Sequence, residues 1–411
     1  MRFWVNTPFD TLPGEGGRPM RYWLLCRALA AAGHEVVLWS SDFHHVTKTR
    51  RPLEPVYVAD GFQVRLVPTI PYRANISLQR VNSHLQYARS WSNLAREAVA
   101  RGDLRPPECI LVSLPPLGLF RAAARMRRQW GSAVVVDIQD AWPETFYRLL
   151  PRGVRWLAPF LFWPARRLAR QAYRQADGVT AVAEAYLQLA RVYGCRAPMA
   201  RFPLASPLPP AMPETRAAAP SALNLCYVGN LGERYDLATL IEAVRRLTDD
   251  GVPVTLTVAG DGPQRPLVAE AIRQGAPIAY RGYLDDKALQ ACMAGCDAGV
   301  VPMFPDSWVA VPNKLIDYAA AGLAMVNGLK GEAQSLLDRY GAGVSYETGS
   351  AASLAAAVRQ YADDRDLLAR HRQAARRLAE AEFDAARRYP AMARWLAEQI
   401  VKLNGANREK H

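Results

Sequence analysis

Short apolar runs alternate with helix-like stretches along almost the whole of this 411-residue chain. Runs of four to eight apolar residues, bounded by Gly, Pro, Asn and Asp, read as buried strands, and the stretches between them have room for a crossover helix. In the first half the runs fall near 2–6, 35–40, 62–67, 109–113, 133–138 and 178–182, with helices near 18–32, 76–101, 117–129 and 165–176. The pattern then restarts. Runs near 223–228, 253–259, 297–301 and 324–327 are separated by helices near 237–249, 264–274, 286–294, 313–321 and 351–361. Parallel strands need a crossover, usually helical, so each half should close as a doubly wound parallel sheet covered on both faces. Between the halves, Pro203 to Pro220 holds six prolines and no hydrophobic period, which marks a linker. The expected organisation is α/β: a first domain over 1–204, a linker over 205–221, a second domain over 222–385, and a helical tail over 386–411. In that tail Trp395, Ile400 and Leu403 form an apolar stripe, expected to pack back on the first domain.

The charge is lopsided. Residues 1–205 carry 28 Lys and Arg against 14 Asp and Glu, whereas residues 206–411 carry 23 against 24. The net +13 therefore resides in the first half, which points to an anionic partner for one domain only. The six cysteines are scattered. Cys292 and Cys296 are a helical turn apart, but no His or Cys pair completes a zinc site, and buried thiols in a reducing cytoplasm are expected. Met1–Asn6 reads as a first strand rather than a signal peptide. The longest apolar run, Trp156 to Ala165, holds two prolines and is too short to span a bilayer.

Ligands of doubly wound sheets bind beyond the carboxyl ends of the strands, so the chemistry belongs in the strand-to-helix loops. Tyr227-Val228-Gly229-Asn230-Leu231-Gly232-Glu233-Arg234 ends one strand; its glycines allow close backbone approach and Arg234 can pair with a phosphate. Gly260-Asp261-Gly262-Pro263 ends the next. Arg281-Gly282-Tyr283 offers backbone groups and a ring for a base. In Val311-Pro312-Asn313-Lys314-Leu315-Ile316-Asp317-Tyr318-Ala319-Ala320-Ala321-Gly322, proline opens a helix whose positive end suits a diphosphate. Lys314 adds a cation there, and Asp317 can accept from two sugar hydroxyls.

Taken in order, these motifs resemble the C-terminal domain of retaining glycosyltransferases of the GT-B fold, family 4. The matching stretches are Tyr227–Gly232, Ala259–Pro263, Cys296–Pro302 and Pro312–Gly322. Gly14-Glu15-Gly16-Gly17-Arg18 resembles the family's N-terminal glycine loop, and Asp137-Ile138-Gln139-Asp140-Ala141-Trp142-Pro143-Glu144 looks like the branch that builds O-antigen, capsular and exopolysaccharide repeat units. The resemblance implies two Rossmann-like domains facing across a cleft. It also implies transfer of a sugar from a nucleotide-diphosphate donor, with a UDP-sugar favoured, to an acceptor hydroxyl with retention. It places Gly16, Gly17, Gly229, Asn230, Gly232, Arg234, Arg281, Gly282, Tyr283, Pro312, Asn313, Lys314, Leu315 and Asp317 around the donor, with Asp317 on the ribose. Arg234 and Lys314 would stabilise the departing diphosphate. It implies no cofactor and no required metal. The family's paired glutamates, with seven residues between them, are represented here by Val309 and Asp317, which leaves the donor sugar to backbone groups of 309–313.

Asp140 follows the strand run 133–138 and is either a catalytic group orienting the reactants or an N-cap for the helix opening near Trp142-Pro143. Ser113 and Trp142 are acceptor-side candidates. Asp137 reads as structural, and the adjacent His44 and His45 read as solvated loop residues. Arg152, Arg155, Trp156, Phe160, Phe162, Trp163, Arg166, Arg167 and Arg170 crowd into one short stretch, and Arg121, Arg125, Arg127, Arg128 and Trp130 form a second basic helix. Such mixtures suit an anionic membrane surface and a lipid-linked or saccharide acceptor; the bland alternative is a packing helix with a solvated basic face. Nucleic acid is disfavoured, because the basic residues mix with large apolar ones and no recognised module appears. Peripheral attachment to the inner face of the cytoplasmic membrane is therefore expected. A nucleotide-sugar 2-epimerase of the same fold and an inactive membrane-associated scaffold are the competing readings.

Overall fold

The computed structural model describes residues 1–15, 21–209, 222–304 and 309–408. The chain divides into two compact units, Met1–Pro203 with Ala386–His411, and Leu204–Ala385.

The sheet of the first unit has eight strands, in the order Met199–Arg201, Gly178–Ala181, Ala133–Ile138, Cys109–Leu114, Arg2–Asn6, Glu35–Ser41, Phe62–Val67 and Val56–Ala59. Every pairing is parallel except the last. The edge strand Val56–Ala59 and the short Met199–Arg201 were not apparent from the sequence. The hairpin hides in its alternation of exposed and half-buried positions, and Met199–Arg201 is only three residues long. The central strands Cys109–Leu114 and Ala133–Ile138 are buried at every position, as expected of strands covered on both faces. The strand order reverses direction between Arg2–Asn6 and Cys109–Leu114.

A buried ion pair fixes this unit's centre. Asp137, the last residue but one of its strand, is fully buried and accepts two hydrogen bonds from the Arg21 guanidinium, at 2.9 and 2.8 Å, and one from the Tyr22 hydroxyl at 2.6 Å. Thr180 and Gln139 donate to it as well. Burial raises the Asp137 pKa, but Arg21 and these donors outweigh it and hold the carboxyl below its ordinary value. Asp137 is thus structural, as its sequence context indicated. Removing one partner of such a pair costs about 3–5 kcal/mol because the other charge is left buried alone. Asp10, buried in the loop after the first strand, accepts from the Tyr22 amide at 2.9 Å and so caps the helix Arg21–Ala31 from a distance.

The C-terminal helix Ala385–Arg408 belongs with the first unit. Met392, Leu396 and Ile400 are its buried stripe. Trp395 lies 6.1 Å from the Phe202 ring and against Gly178, where a Cβ would approach it to 3.3 Å.

The second unit has six parallel strands, in the order Ile278–Gly282, Val254–Ala259, Leu223–Val228, Ala298–Val301, Ala324–Asn327 and Gly343–Ser345. Its order reverses between Leu223–Val228 and Ala298–Val301. The helices Leu237–Asp249, Arg265–Arg273, Asp286–Ala294 and Asn313–Ala320 follow successive strands. The start of the expected linker is not free. Ser206 pairs with Asp384 as a parallel bridge, its amide donating to Phe383 and its carbonyl accepting from Ala385. The remainder of that segment, 210–221, lies outside the described residues.

Candidate active site

Four loops and one helix meet at the carboxyl ends of the second unit's strands. Gly229, Gly260 and Gly282 end three neighbouring strands and are tied in a row. The Gly229 amide donates to Ala259 at 2.8 Å, and the Gly260 amide donates to Gly282 at 2.6 Å. A side chain at Gly260 would place its Cβ 1.9 Å from the Gly229 carbonyl oxygen, and its φ of 135° is one that only glycine adopts readily. The result is a shelf of bare backbone, on which a ligand can lie against peptide groups.

The loop 229–236 is held from several sides. Tyr227 donates its hydroxyl to the Asn230 carbonyl at 2.6 Å. The Gln264 side chain donates to the carbonyls of Gly232 and Tyr235 at 2.6 and 2.9 Å. The Asp236 amide donates to Pro302 at 2.8 Å, and the Asp236 side chain caps the following helix through the Thr239 amide. Asn230 and Arg234 are exposed on this fixed loop, beside the reversal of strand order. That reversal is the usual crevice of an open α/β sheet.

The helix Asn313–Ala320 begins at buried Pro312, with Asn313 exposed and Leu315 buried. It packs closely because Gly299 has no side chain. A Cβ there would sit 2.4 Å from the Tyr318 ring. The Tyr318 hydroxyl accepts from the Val228 amide at 3.1 Å and donates to the Val300 carbonyl at 3.3 Å, joining the two strands at the reversal.

Lys314 is turned inward. It is almost fully buried, its ammonium donates to the Val228 carbonyl, and it sits 4.1 Å from the Tyr227 ring centroid and 4.2 Å from that of Tyr235. Cation–π contact and the carbonyl replace its water. Burial pulls its pKa down to about 7, with the charge of Asp317 opposing that shift. Asp317, half-buried, lies three residues further on the same helix face. The sequence placed Lys314 on the donor diphosphate. In the structure its ammonium is turned under the loop, onto the Val228 carbonyl.

Arg281 and Tyr283 are exposed and flank half-buried Gly282. Tyr280, unremarked in the sequence, donates its hydroxyl to the Gly260 carbonyl at 2.9 Å. Val309, where the family's first glutamate would stand, is half-buried against the apolar cluster around Leu315.

In the first unit, Asp140 is half-buried. One oxygen accepts from the Ala141 amide at 2.9 Å and the other from the Trp142 indole at 3.2 Å. It is not the cap of the turn that follows, which begins after Pro143 without a side-chain cap. Asp140 and Trp142 therefore act as a unit. Ser113 is buried and its hydroxyl donates to the Pro115 carbonyl at 3.3 Å, a backbone-bracing role. Gly16 and Gly17 lie outside the described residues. His44 and His45 are not solvated: His44 is buried, and His45 hydrogen-bonds the Tyr72 hydroxyl. No periodic pattern marked them, because their burial comes from rings distant in sequence.

Family models match both units. Residues 16–205 match the glycosyl transferase 4-like domain, and residues 222–364 match glycosyl transferases group 1. The fold is GT-B. Sucrose-phosphate synthase from Thermosynechococcus elongatus superposes with a TM-score of 0.72 at 15% identity, covering 98% of this chain and 99% of that one. Anabaena HepE in complex with UDP and glucose superposes with a TM-score of 0.63 at 16% identity, covering 97% and 99%. At such identities the likeness is one of fold. Among curated relatives, a glycogen synthase of Mycobacterium tuberculosis is 31% identical over 163 residues, 39% of each chain. A GDP-mannose-dependent phosphatidylinositol dimannoside mannosyltransferase of the same organism is 31% identical over 86 residues, 21% of this chain and 22% of its own. The chain thus matches about two fifths or less of these relatives' lengths. Each GT-B unit carries its reversal of strand order, and in the second unit the glycine shelf, Asn313–Ala320 and the Lys314 cage lie there together.

Proposed function

We propose that the protein transfers a sugar from a nucleoside-diphosphate donor to an acceptor hydroxyl, with retention at the anomeric carbon. The observation that carries this reading is the cation caged at the strand reversal, one turn before Asp317 and directly under a bare-backbone loop. As the glycosidic bond breaks, negative charge gathers on the departing diphosphate. Preorganised peptide dipoles and cations stabilise that charge without having to reorient. The loop 229–236, the start of the helix at Asn313, exposed Arg234 and buried Lys314 supply them. Asp317 accepts from the ribose hydroxyls, and Arg281 to Tyr283 flank the base. UDP is the favoured nucleotide, supported by HepE's complexes with UDP and UDP-glucose; the GDP-mannose-dependent relative keeps GDP as the second arm of the test.

The acceptor is lipid-linked or a saccharide, and the role is in surface polysaccharide assembly. The first unit supports this reading with exposed Trp156 and Phe160, 69% and 72% accessible, beside exposed Trp163 and Leu161. Arg167 lies over the Trp163 ring, 5.4 Å from its centroid. Such side chains at a basic surface suit attachment to an anionic bilayer. No helix among the described residues is long and apolar enough to cross a membrane.

A panel of UDP- and GDP-sugars, assayed for released nucleoside diphosphate with and without a lipid diphosphate-linked sugar, tests the proposal. Acceptor-dependent release is expected. A new nucleotide sugar without release would make the protein an epimerase, and no turnover with any donor would leave a scaffold.

A further inference from the structure

A second binding feature lies at the strand ends of the first unit. A recess is lined by Phe9, Phe43, His45, Tyr72, Ser83 and His84, among others. The Ser83 hydroxyl is buried there with no hydrogen-bond partner. Arg80 stands beside the recess, 5.4 Å from the Phe9 ring, 5.9 Å from Tyr72 and 5.2 Å from Trp142. Lys48 lies over the Tyr72 ring, 4.6 Å from its centroid, and donates to the His45 carbonyl and to Asn75. Its φ of 61° is a left-handed conformation that a lysine rarely adopts, so its placement is held by the fold.

Arg80 and Lys48 are the cations that flank the recess; Arg80 also donates to His84 and to the Asn75 carbonyl, and Asp140 accepts from the Trp142 indole that Arg80 overlies. Burial, with Lys48 and Arg80 adding to it, lowers the His45 pKa to about 3; burial and Arg80 do the same to His84. Cations gathered around neutral rings suit an anion.

An apolar path leaves the recess. His84 contacts Trp142 at 5.7 Å, Trp142 contacts Phe146 at 4.6 Å, and Phe146 stacks on Phe162 at 6.2 Å. Phe162 adjoins exposed Phe160, Leu161 and Trp163. On the other side, the long helix Leu78–Ala100 presents Leu78, Val81 and Leu85 to solvent, with Leu78 89% accessible. A cationic pocket with an aromatic runway matches an amphiphile carrying a phosphate head and a hydrocarbon tail.

We propose that Arg80 and Lys48 hold the phosphate or diphosphate of a lipid-linked acceptor, whose tail runs along Trp142, Phe146 and Phe162. This rests on the glycosyltransferase reading and names the part of the acceptor that the first unit grips. Arg80 and Lys48 are positioning residues.

The test uses the full chain and three soluble probes: farnesyl diphosphate, inorganic diphosphate and farnesol. Binding is followed by calorimetry and by Trp142 quenching, alongside the thermal shift given by UDP. Wild-type protein should bind farnesyl diphosphate at least tenfold more tightly than either of the other two. Arg80→Gln should lose at least tenfold for farnesyl diphosphate and keep its UDP shift. Lys48→Asn, which removes the charge and suits the left-handed backbone, guards against misfolding of the first variant and should behave alike. Farnesyl diphosphate binding that is absent, unaffected by both variants, or no tighter than inorganic diphosphate overturns the proposal. A UDP shift that persists in that case keeps the donor-site reading intact, whereas its loss in wild type would overturn that reading separately.

Discussion

The Lys314 ammonium lies 2.7 Å from where a Cβ on Gly229 would stand. Cation and glycine therefore specify each other. Gly229 also has a φ of 109°, outside the comfortable range of any side-chain-bearing residue. Gly229→Ala should displace either the loop or Lys314, with a destabilisation of about 1–3 kcal/mol, the usual range for overpacking. Chemical denaturation and UDP affinity, both lowered, would confirm this; an unchanged UDP affinity would separate the cage from donor binding.

Lys314 makes the site sensitive to pH. Its folded pKa, about 7, is below its ordinary 10.5, so its neutral form is the one folding favours. Its contribution to stability is fully present above the ordinary value and is lost as pH falls through about 7. A diphosphate bound nearby should raise that pKa again. UDP binding between pH 7 and 9 should therefore take up protons, measurable by calorimetry in buffers of different ionisation enthalpy. Lys314→Met should abolish the uptake and flatten the pH dependence of stability in that window. Binding with no proton uptake in wild type would mean that the ammonium does not sense the diphosphate.

Asp317→Ala should weaken UDP binding more than folding. Hydrogen bonds to a charged acceptor contribute roughly 1.5–3 kcal/mol, equivalent to about a tenfold to hundredfold change in affinity. Asp140→Ala should leave UDP affinity intact and lower turnover, since Asp140 orients Trp142 in the other unit. Equal UDP affinity in wild type and Asp317→Ala would reassign Asp317 to a structural role, and full turnover in Asp140→Ala would do the same for Asp140.

Replacing Trp156, Phe160 and Trp163 together by serine should reduce binding to anionic vesicles without lowering the melting temperature, because these rings are exposed. Wild-type binding should require anionic lipid and fall with salt, as the attraction fades within a Debye length of roughly 8 Å at physiological ionic strength. Equal flotation with neutral and anionic vesicles at low salt would make this surface a packing face.

Asp137→Asn should cost about 3–5 kcal/mol, because it strands the Arg21 guanidinium in the core. Denaturant midpoints report this directly. A smaller loss would show that water or Tyr22 compensates the arginine.

The alternation of strands and helices, the loops at the strand ends and the concentration of positive charge in the first half are all legible in the sequence. Each is a local or additive property: periodicity follows from side-chain direction, turns from glycine and proline, and net charge from counting. The inward turn of Lys314, the Arg21–Asp137 pair and the gathering of Arg80, Lys48, His45 and His84 are not legible. Arg21 and Asp137 are 116 positions apart, and Lys314 meets Val228 across 86. Only packing brings such groups together, and burial then decides their charge. The same lysine is a solvated cation or a caged, half-titrated one according to which rings and carbonyls the fold places around it.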